Sequence, residues 1–442
     1  IFPFIVGKYV FFRTIIIIAL TCFIWAWATG QFSMGEVLPG ARHSKQTHGR
    51  EGVRVLAPRA YLRSPLVLAL GVFVLIFLLA TIFGINPSAS FWSNYERGEG
   101  SLQVLVLFVF FLLLVSLFED DASWRRLFVV SLWSGVLVIL YGILGNLGFD
   151  GFINSSSNIS FVQSFCSRFA GSLGNPAYVG TYMIFAVFYA LYLFITTKKT
   201  KATRWFFLTM ACIFFIVLLL SQTRGALLGF GLASLFGLCY LIIYLPRGLA
   251  RKIVMAFTAV IIVASPLAVA YRHSIELLPF CSTGGNRILD ISSNAETYQT
   301  RLILWQQSIK AFGERPILGW GPENFSTAFE KYYDTRHTAW FDRAHNIFFD
   351  YLVFSGGLGL ASFIGIFAVF YLQFRKFHKK ATHIESTRER QEGGAASTRT
   401  IYERALLFSL PIAYLVQGLV LFDVLPIYIN IFLFLAFANY KY

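Results

Sequence analysis

Four short stretches carry the side chains suited to chemistry in an otherwise apolar chain. WFDRAHNIFFD, from Trp340, sets Arg343, His345, Asn346 and Asp350 at the entrance of a hydrophobic run. SQTRGALLG, from Ser221, puts Arg224 in a tight turn, and SRFAGSLGNPAYVG, from Ser167, puts Arg168 and Asn175 ahead of another run. FWSNYERGEG, from Phe91, contributes Trp92, Tyr95, Glu96, Arg97 and Glu99. Arginine presents a planar fork of donors that matches phosphate oxygens and keeps its charge. Histidine titrates near neutrality and accepts a proton from a hydroxyl. A histidine among arginines has its pKa pushed down, which keeps the ring neutral. Such a set suits the handling of a phosphate ester with a general base at hand. Metal ligation fits poorly, because the seven histidines are scattered and the stretches hold no HxH, HxxxH or paired-aspartate pattern.

These residues must be positioned by membrane helices. Hydrophobic residues make up 57% of the chain and charged residues 13%, with a mean hydropathy of +0.64; a soluble domain carries roughly a quarter charged residues. Apolar runs near the length that crosses a bilayer recur throughout, and the alternating pattern of a membrane barrel is absent. The expected fold is an all-α polytopic membrane protein with about eleven spans, over 14–31, 64–84, 101–118, 127–147, 176–196, 205–221, 226–244, 253–271, 345–374, 405–421 and 426–440. A twelfth is expected ahead of Ile1.

Orientation follows from Lys and Arg. Of the 37 basic residues, 24 fall on one set of alternate loops and 13 on the other, eight of these in a single long loop. The first set is read as cytoplasmic, which puts all four stretches on the outer face. The net charge of +15 is then a topology signal with attraction for anionic lipid, and nucleic acid is not an expected partner.

The organisation is therefore read as spans over 1–271, an extracytoplasmic loop domain over 272–344, and further spans over 345–442 interrupted by a polar, flexible cytoplasmic loop at 375–404. Within the long loop, NAETYQTRLILWQQSIKAFGERP predicts an amphipathic helix starting near Glu296 or Thr297, stopped by Gly313 and Pro316, with Leu302, Trp305, Ile309 and Phe312 on its buried face. A second helix is expected over NFSTAFEKYY. Cys22, Cys212 and Cys239 fall in spans and read as packing residues. Cys166 and Cys281 fall in outer loops, an oxidising setting in which a disulfide between them is expected.

Taken in order, SRFAGSLGNPAYVGTYM, SQTRGALLG and RLILWQQSIKAF…PILGWGPENF…RAHNIFFDYLVFSGGLG, together with the long outer loop, resemble the bacterial O-antigen ligase superfamily: O-antigen ligases, related O-antigen polymerases and protein O-oligosaccharyltransferases. O-antigen ligases fit best. The resemblance implies a glycosyltransferase of the bacterial inner membrane with its active site facing the periplasm. It moves a glycan, already flipped across, from undecaprenyl diphosphate to a hydroxyl of lipid A-core or another acceptor, with no metal or cofactor. By motif, Arg224 matches the short-loop arginine, Arg301 (Arg287 less well) the long-loop arginine, and His345 the essential histidine. Arg224, Arg301 and Arg168 are then expected on the diphosphate and His345 as the base, with inversion at the anomeric carbon. Asn175, Asn346, Tyr95, Arg97, Trp305 and Trp320 are expected to contact substrate, the two tryptophans by stacking on sugar faces.

Each role has a plainer rival. Arg168 and Arg224 can anchor helix ends to lipid phosphates, and Arg301 can be a surface salt-bridge partner. His345 can be an interfacial residue near a helix cap. Trp305 can be core, and Glu96, Arg97 and Glu99 can form a local ion pair. A transporter suits the number of spans, but the chain shows no internal repeat and few charges inside its spans. The acceptor, whether lipid A-core, growing glycan or protein, is left open.

Overall fold

The computed structural model describes residues 4–29, 32–34, 54–56, 63–94, 97–146, 168–197, 200–271, 296–337, 339–392 and 395–442. Cys166, Cys281, Arg287, Tyr95 and Glu96 lie outside them, and with them the expected disulfide. The described residues form fourteen helices: α1 (Phe4–Ala28), α2 (Pro65–Ile82), α3 (Pro87–Trp92), α4 (Ser101–Leu117), α5 (Asp121–Asn146), α6 (Pro176–Thr196), α7 (Lys201–Leu220), α8 (Arg224–Tyr244), α9 (Leu249–Ala270), α10 (Glu296–Glu314), α11 (Phe325–Lys331), α12 (Ile347–Glu392), α13 (Ala395–Gly418) and α14 (Leu425–Lys441). The only β structure among them is a parallel pairing of Phe32–Met34 with Arg54–Leu56.

Eight helices are long and apolar enough to cross a membrane: α1, α2, α5 to α9 and α12. The shorter apolar α4 and α14, and α13, complete the eleven expected positions. The chain is thus a polytopic helical membrane protein. Starts are set locally: Ser64 and Asn175 cap α2 and α6 through their side chains, each followed by proline at the first helical position.

Several expectations shift. Helix α1 begins near Phe4, ten residues before the expected span, because its polar residues are matched: Arg13 donates to Gln103 Oε1 at 2.8 Å and to the Gly98 carbonyl, and Tyr9 to Glu99. The ends of α12 and α13 occupy the stretch read as a flexible loop at 375–404. Cys22, Cys212 and Cys239 are exposed on their helices rather than packed inside. On α10 the buried residues are Ile303, Leu304, Gln307, Ser308 and Ala311, while Ile309 is 56% exposed. The inward face is rotated from the apolar stripe because two polar residues on it find partners: Gln307 donates to the Tyr332 carbonyl and Ser308 to Leu304.

The chain forms two compact units. The first comprises Ile1–Asp121, Thr300–Phe377 and Phe422–Tyr442; the second comprises Ala122–Gln299 and His378–Leu421. In the first, α4 packs on α14, α1 and α2. Its most consequential feature is a break in α12 at Gly356, which takes φ 64°. A break frees helical backbone groups that a bilayer cannot satisfy. Here the 316–321 segment satisfies them: Trp320 N–H donates to the Val353 carbonyl at 2.8 Å, Gly321 N–H to Phe354 at 3.0 Å, and Gly357 N–H to the Pro316 carbonyl at 2.7 Å. PILGWG is therefore a strap hydrogen-bonded across the break, closed over Gly356 too tightly for a side chain.

In the second unit, α8 packs on α13, and α6 packs on α7 and α13. Gly180 brings α6 against the Ser221–Ala226 turn, where an added Cβ would stand 2.9 Å from Ser221 Oγ.

Gly356→Ala is expected to lower stability by about 1–3 kcal/mol through its positive φ and the strap contact. Gly365→Ala, in open space on the same helix, is expected to be neutral or stabilising by up to about 1 kcal/mol. Thermal unfolding of both variants in detergent checks this.

Candidate active site

His345 stands just before α12, and its neighbours are pinned on both sides. The Ala344 N–H donates to Asp350 Oδ1 at 2.7 Å, and the Ala344 carbonyl accepts from Trp305 Nε1 at 3.2 Å. Asn346 caps α12, its Oδ1 accepting from the Phe348 and Phe349 N–H groups at 2.9 and 3.4 Å. Between these anchors His345 adopts φ 54°, a left-handed conformation that costs about 1–2 kcal/mol outside glycine. Its ring lies 5.1 Å from the Phe422 ring and 5.7 Å, edge-on, from Phe341.

The preceding residue supplies the foundation. The Arg343 side chain is 4% exposed and its Nη2 reaches Glu99 at 2.7 Å and Glu323 at 2.5 Å. Tyr9 shares Glu99, Ser93 shares Glu323 at 2.8 Å, and the guanidinium lies over the Phe354 ring at 4.7 Å. One buried cation thus ties the entrance of α12 to α1, to the ERGEG stretch and to the turn after the strap. Burial pushes the Glu99 carboxyl up, with Arg343 pulling against it. Beside this, Arg97 grips Asp342 with two donors at 2.7 and 2.8 Å and lies 4.8 Å over the Phe422 ring. The ion pairs of Arg97 and Glu99 are therefore made with the long loop. Arg97 holds Asp342 below the usual carboxylate range against the opposing effect of burial.

Together these surroundings set the His345 ring. Its pKa is pushed down to about 4, first by burial and then by the positive field of Arg301, with Arg97 and Arg343 adding and Asp342 opposing. At neutral pH the ring is neutral and keeps an acceptor nitrogen.

The first unit thus brings together His345, Arg301, Arg97, Asn346 and Trp305. Trp305 stacks on Phe349 at 5.5 Å, and both its N–H and that ring contact brace the His345 turn. Asn346 is 4% exposed and serves as a cap. Trp320 is 2% exposed and gives its N–H to the Ala311 carbonyl at 2.8 Å, seated as a core residue below the strap. In the second unit, Phe169 N–H donates to the Leu220 carbonyl at 3.1 Å, which brings the Arg168 segment to the turn that ends in Arg224. Asn175 caps α6 beside it. Arg168 at φ 63° and Gln222 at φ 47° are left-handed, like His345. Sequence reasoning missed Glu323, Asp342, Tyr9 and Phe422. Only the excess of paired charge in an apolar chain hinted at the acidic two.

A polytopic helical chain with a buried arginine network beside a neutral histidine at a helix entrance defines the class: an integral membrane protein with a polar cluster at the start of a membrane-length helix. Residues 208–364, from α7 into α12 and including Arg224, Arg301 and His345, match the O-antigen ligase family model. A general O-oligosaccharyltransferase of Acinetobacter baylyi is 26% identical over 287 residues, which is 64% of this chain and 48% of that protein. The chain is thus similar to the O-antigen ligase superfamily over this stretch, and it spans about half the length of the curated relative it matches.

Two outcomes follow from the site. Arg343→Met leaves two buried carboxylates uncompensated and is expected to cost about 3–5 kcal/mol, with part recovered by adding Glu99→Gln; thermal unfolding of the single and double variants measures both. Because the folded His345 pKa lies below the ordinary 6.5, the unfolded chain binds a proton more readily between these values. Stability is therefore expected to fall as pH drops from 6.5 toward 4. The fall is smaller in His345→Asn, a residue that tolerates the left-handed turn, when unfolding midpoints are compared at several pH values.

Proposed function

We propose that the protein is a membrane glycosyltransferase that moves a glycan from undecaprenyl diphosphate to an acceptor hydroxyl at the periplasmic face of the inner membrane. The observation that carries this reading is His345 itself: a neutral imidazole, fixed in a left-handed turn, in the field of Arg301 at the mouth of a membrane helix. The acceptor oxygen attacks the anomeric carbon as its proton passes to the His345 ring. The bond from that carbon to the diphosphate oxygen breaks, and its electrons leave with the diphosphate. Attack opposite the leaving group inverts the carbon. A pKa near 4 makes a weak base, but a bound diphosphate brings negative charge that offsets the arginine field and raises it.

Arg301 is assigned to the leaving diphosphate, whose developing charge a fixed guanidinium stabilises. Arg224 and Arg168 have the same role on the strength of their motifs. As seated, Arg97 is committed to Asp342 and acts by holding the loop. Trp305 and Asn346 act by positioning His345.

For the acceptor, the ligase reading takes lipid A-core and is supported by the family model over residues 208–364. A second reading, a protein hydroxyl, is favoured by the relative's description as a general O-oligosaccharyltransferase.

The test is glycan transfer in proteoliposomes from an undecaprenyl diphosphate-linked glycan, with lipid A-core or an acceptor protein supplied and EDTA present. Wild type is expected to transfer. His345→Ala is expected to lose about 10²–10⁴-fold and Arg224→Ala about 10²–10³-fold. Full activity in both variants would overturn the site. Transfer to protein alone, or donor consumed into longer chains, would move the acceptor and keep the chemistry.

A further inference from the structure

On the other side of Phe341 from His345, the long loop holds a cavity of about 390 Å³ that none of the assigned roles uses. It is lined by Phe329, Glu330, Tyr333, His337, Ala339 and Trp340. This volume falls within the range of small-ligand sites. Phe329 is buried at its base, while Tyr333 and Trp340 are 55% and 59% exposed. Trp340 Nε1 makes a long hydrogen bond, 3.4 Å, to Glu330 Oε1, which orients the indole at the pocket's edge.

His337 gives the pocket its polarity. Its side chain belongs to a residue only 6% exposed, wedged against Phe329 at 5.1 Å and Phe341 at 5.5 Å. Gln307 Nε2 donates to the Tyr332 carbonyl at 2.7 Å, and a carbonyl can only accept, so the Gln307 oxygen is the atom facing His337. His337 Nε2 must then donate to it, at 3.1 Å, and burial holds the ring's pKa down and the ring neutral. That leaves Nδ1 an unprotonated acceptor, and it is buried with no hydrogen-bond partner among the described residues. A buried acceptor left unmade costs about 1–3 kcal/mol, and such a group calls for a partner from outside.

We propose that this pocket is a carbohydrate subsite: a pyranose ring lies against Trp340 and Tyr333, with one hydroxyl donating to His337 Nδ1 and another to the Glu330 carboxylate. A pyranose joins an apolar C–H face to hydroxyls of fixed direction. Exposed aromatic walls with two placed acceptors are complementary to that combination. The alternative cover for exposed aromatics in a membrane protein is the lipid headgroup region, but a headgroup does not join a flat C–H face to hydroxyls of fixed direction as a pyranose does. That the sugar belongs to a transfer substrate rests on the function proposed above; the pocket's binding does not depend on it.

The experiment is saturation-transfer NMR on the full chain in lipid nanodiscs, with the methyl β-glycosides of glucose, galactose and N-acetylglucosamine as probes. Saturation is expected on the ring protons of at least one glycoside, reduced at least fivefold in Trp340→Ala and in His337→Phe, and unchanged in Gly365→Ala. Trp340→Ala alters an exposed side chain, so it keeps the test decisive if His337→Phe does not fold. No saturation with any glycoside, or equal saturation in Trp340→Ala, would overturn the subsite. So would a headgroup location, read as quenching by brominated lipid that Trp340→Ala removes. Glycoside binding by a wild type that transfers no glycan would instead sink the proposed activity and leave the subsite standing.

Discussion

The contact on which the first unit's site depends is the buried Arg343 guanidinium between Glu99 and Glu323. Taking these charges out of water costs several kcal/mol per ion, and mutual attraction repays it only when geometry and further hydrogen bonds are good. Tyr9 on Glu99 and Ser93 on Glu323 supply the further bonds. The return is positional more than energetic. Arg343 precedes Ala344 and His345, and its two carboxylates come from the end of a loop before α4 and from the turn before α11. Three segments far apart in sequence are thereby locked to one another two residues from the imidazole.

The second constraint is set by hydrogen bonding in a low-dielectric setting. A helix entering a membrane cannot break without losing backbone partners, yet α12 breaks at Gly356. The strap supplies N–H donors to Val353 and Phe354 and a carbonyl to Gly357, so the break is filled by the same loop that carries Glu323. The burial of Trp320 beneath the strap follows from this arrangement. Its place in a glycine-rich, aromatic loop made it resemble a sugar platform, but a strap across a helix break needs a large anchored side chain, and Trp320 with its N–H given to Ala311 meets that need.

Much of the architecture was legible because a bilayer demands long apolar runs: all eleven expected spans fall on helices. His345 and the arginines stood out for the same reason, as polar groups in apolar surroundings, and the lowering of the His345 pKa by arginine was foreseeable from their proximity in motifs. The largest arginine contribution comes from Arg301, which lies outside the four short stretches, and burial outranks it; that burial depends on Phe341 and Phe422, which meet the ring only through the fold. The inward face of α10 was misread because hydrophobic periodicity cannot recognise a buried glutamine whose partners, Tyr332 and His337, lie more than twenty residues away. The start of α1 was misread for the converse reason: charge signalled an end to the helix, whereas Arg13 and Tyr9 are satisfied by residues some ninety positions distant.

His345 shows how these constraints combine. A left-handed histidine is unfavourable locally and persists only where the surroundings over-determine it. Ala344 is held at both its N–H and its carbonyl, and Asn346 is committed to the cap. The backbone of His345 has no freedom left to relax, and the cost is carried by the helix start, the Trp305 contact and the Arg343 network together. The ring is carried on this held backbone between Phe341 and Phe422. In the mechanism proposed above, an anionic ligand beside this neutral ring would raise its proton affinity by offsetting the field of Arg301, Arg97 and Arg343.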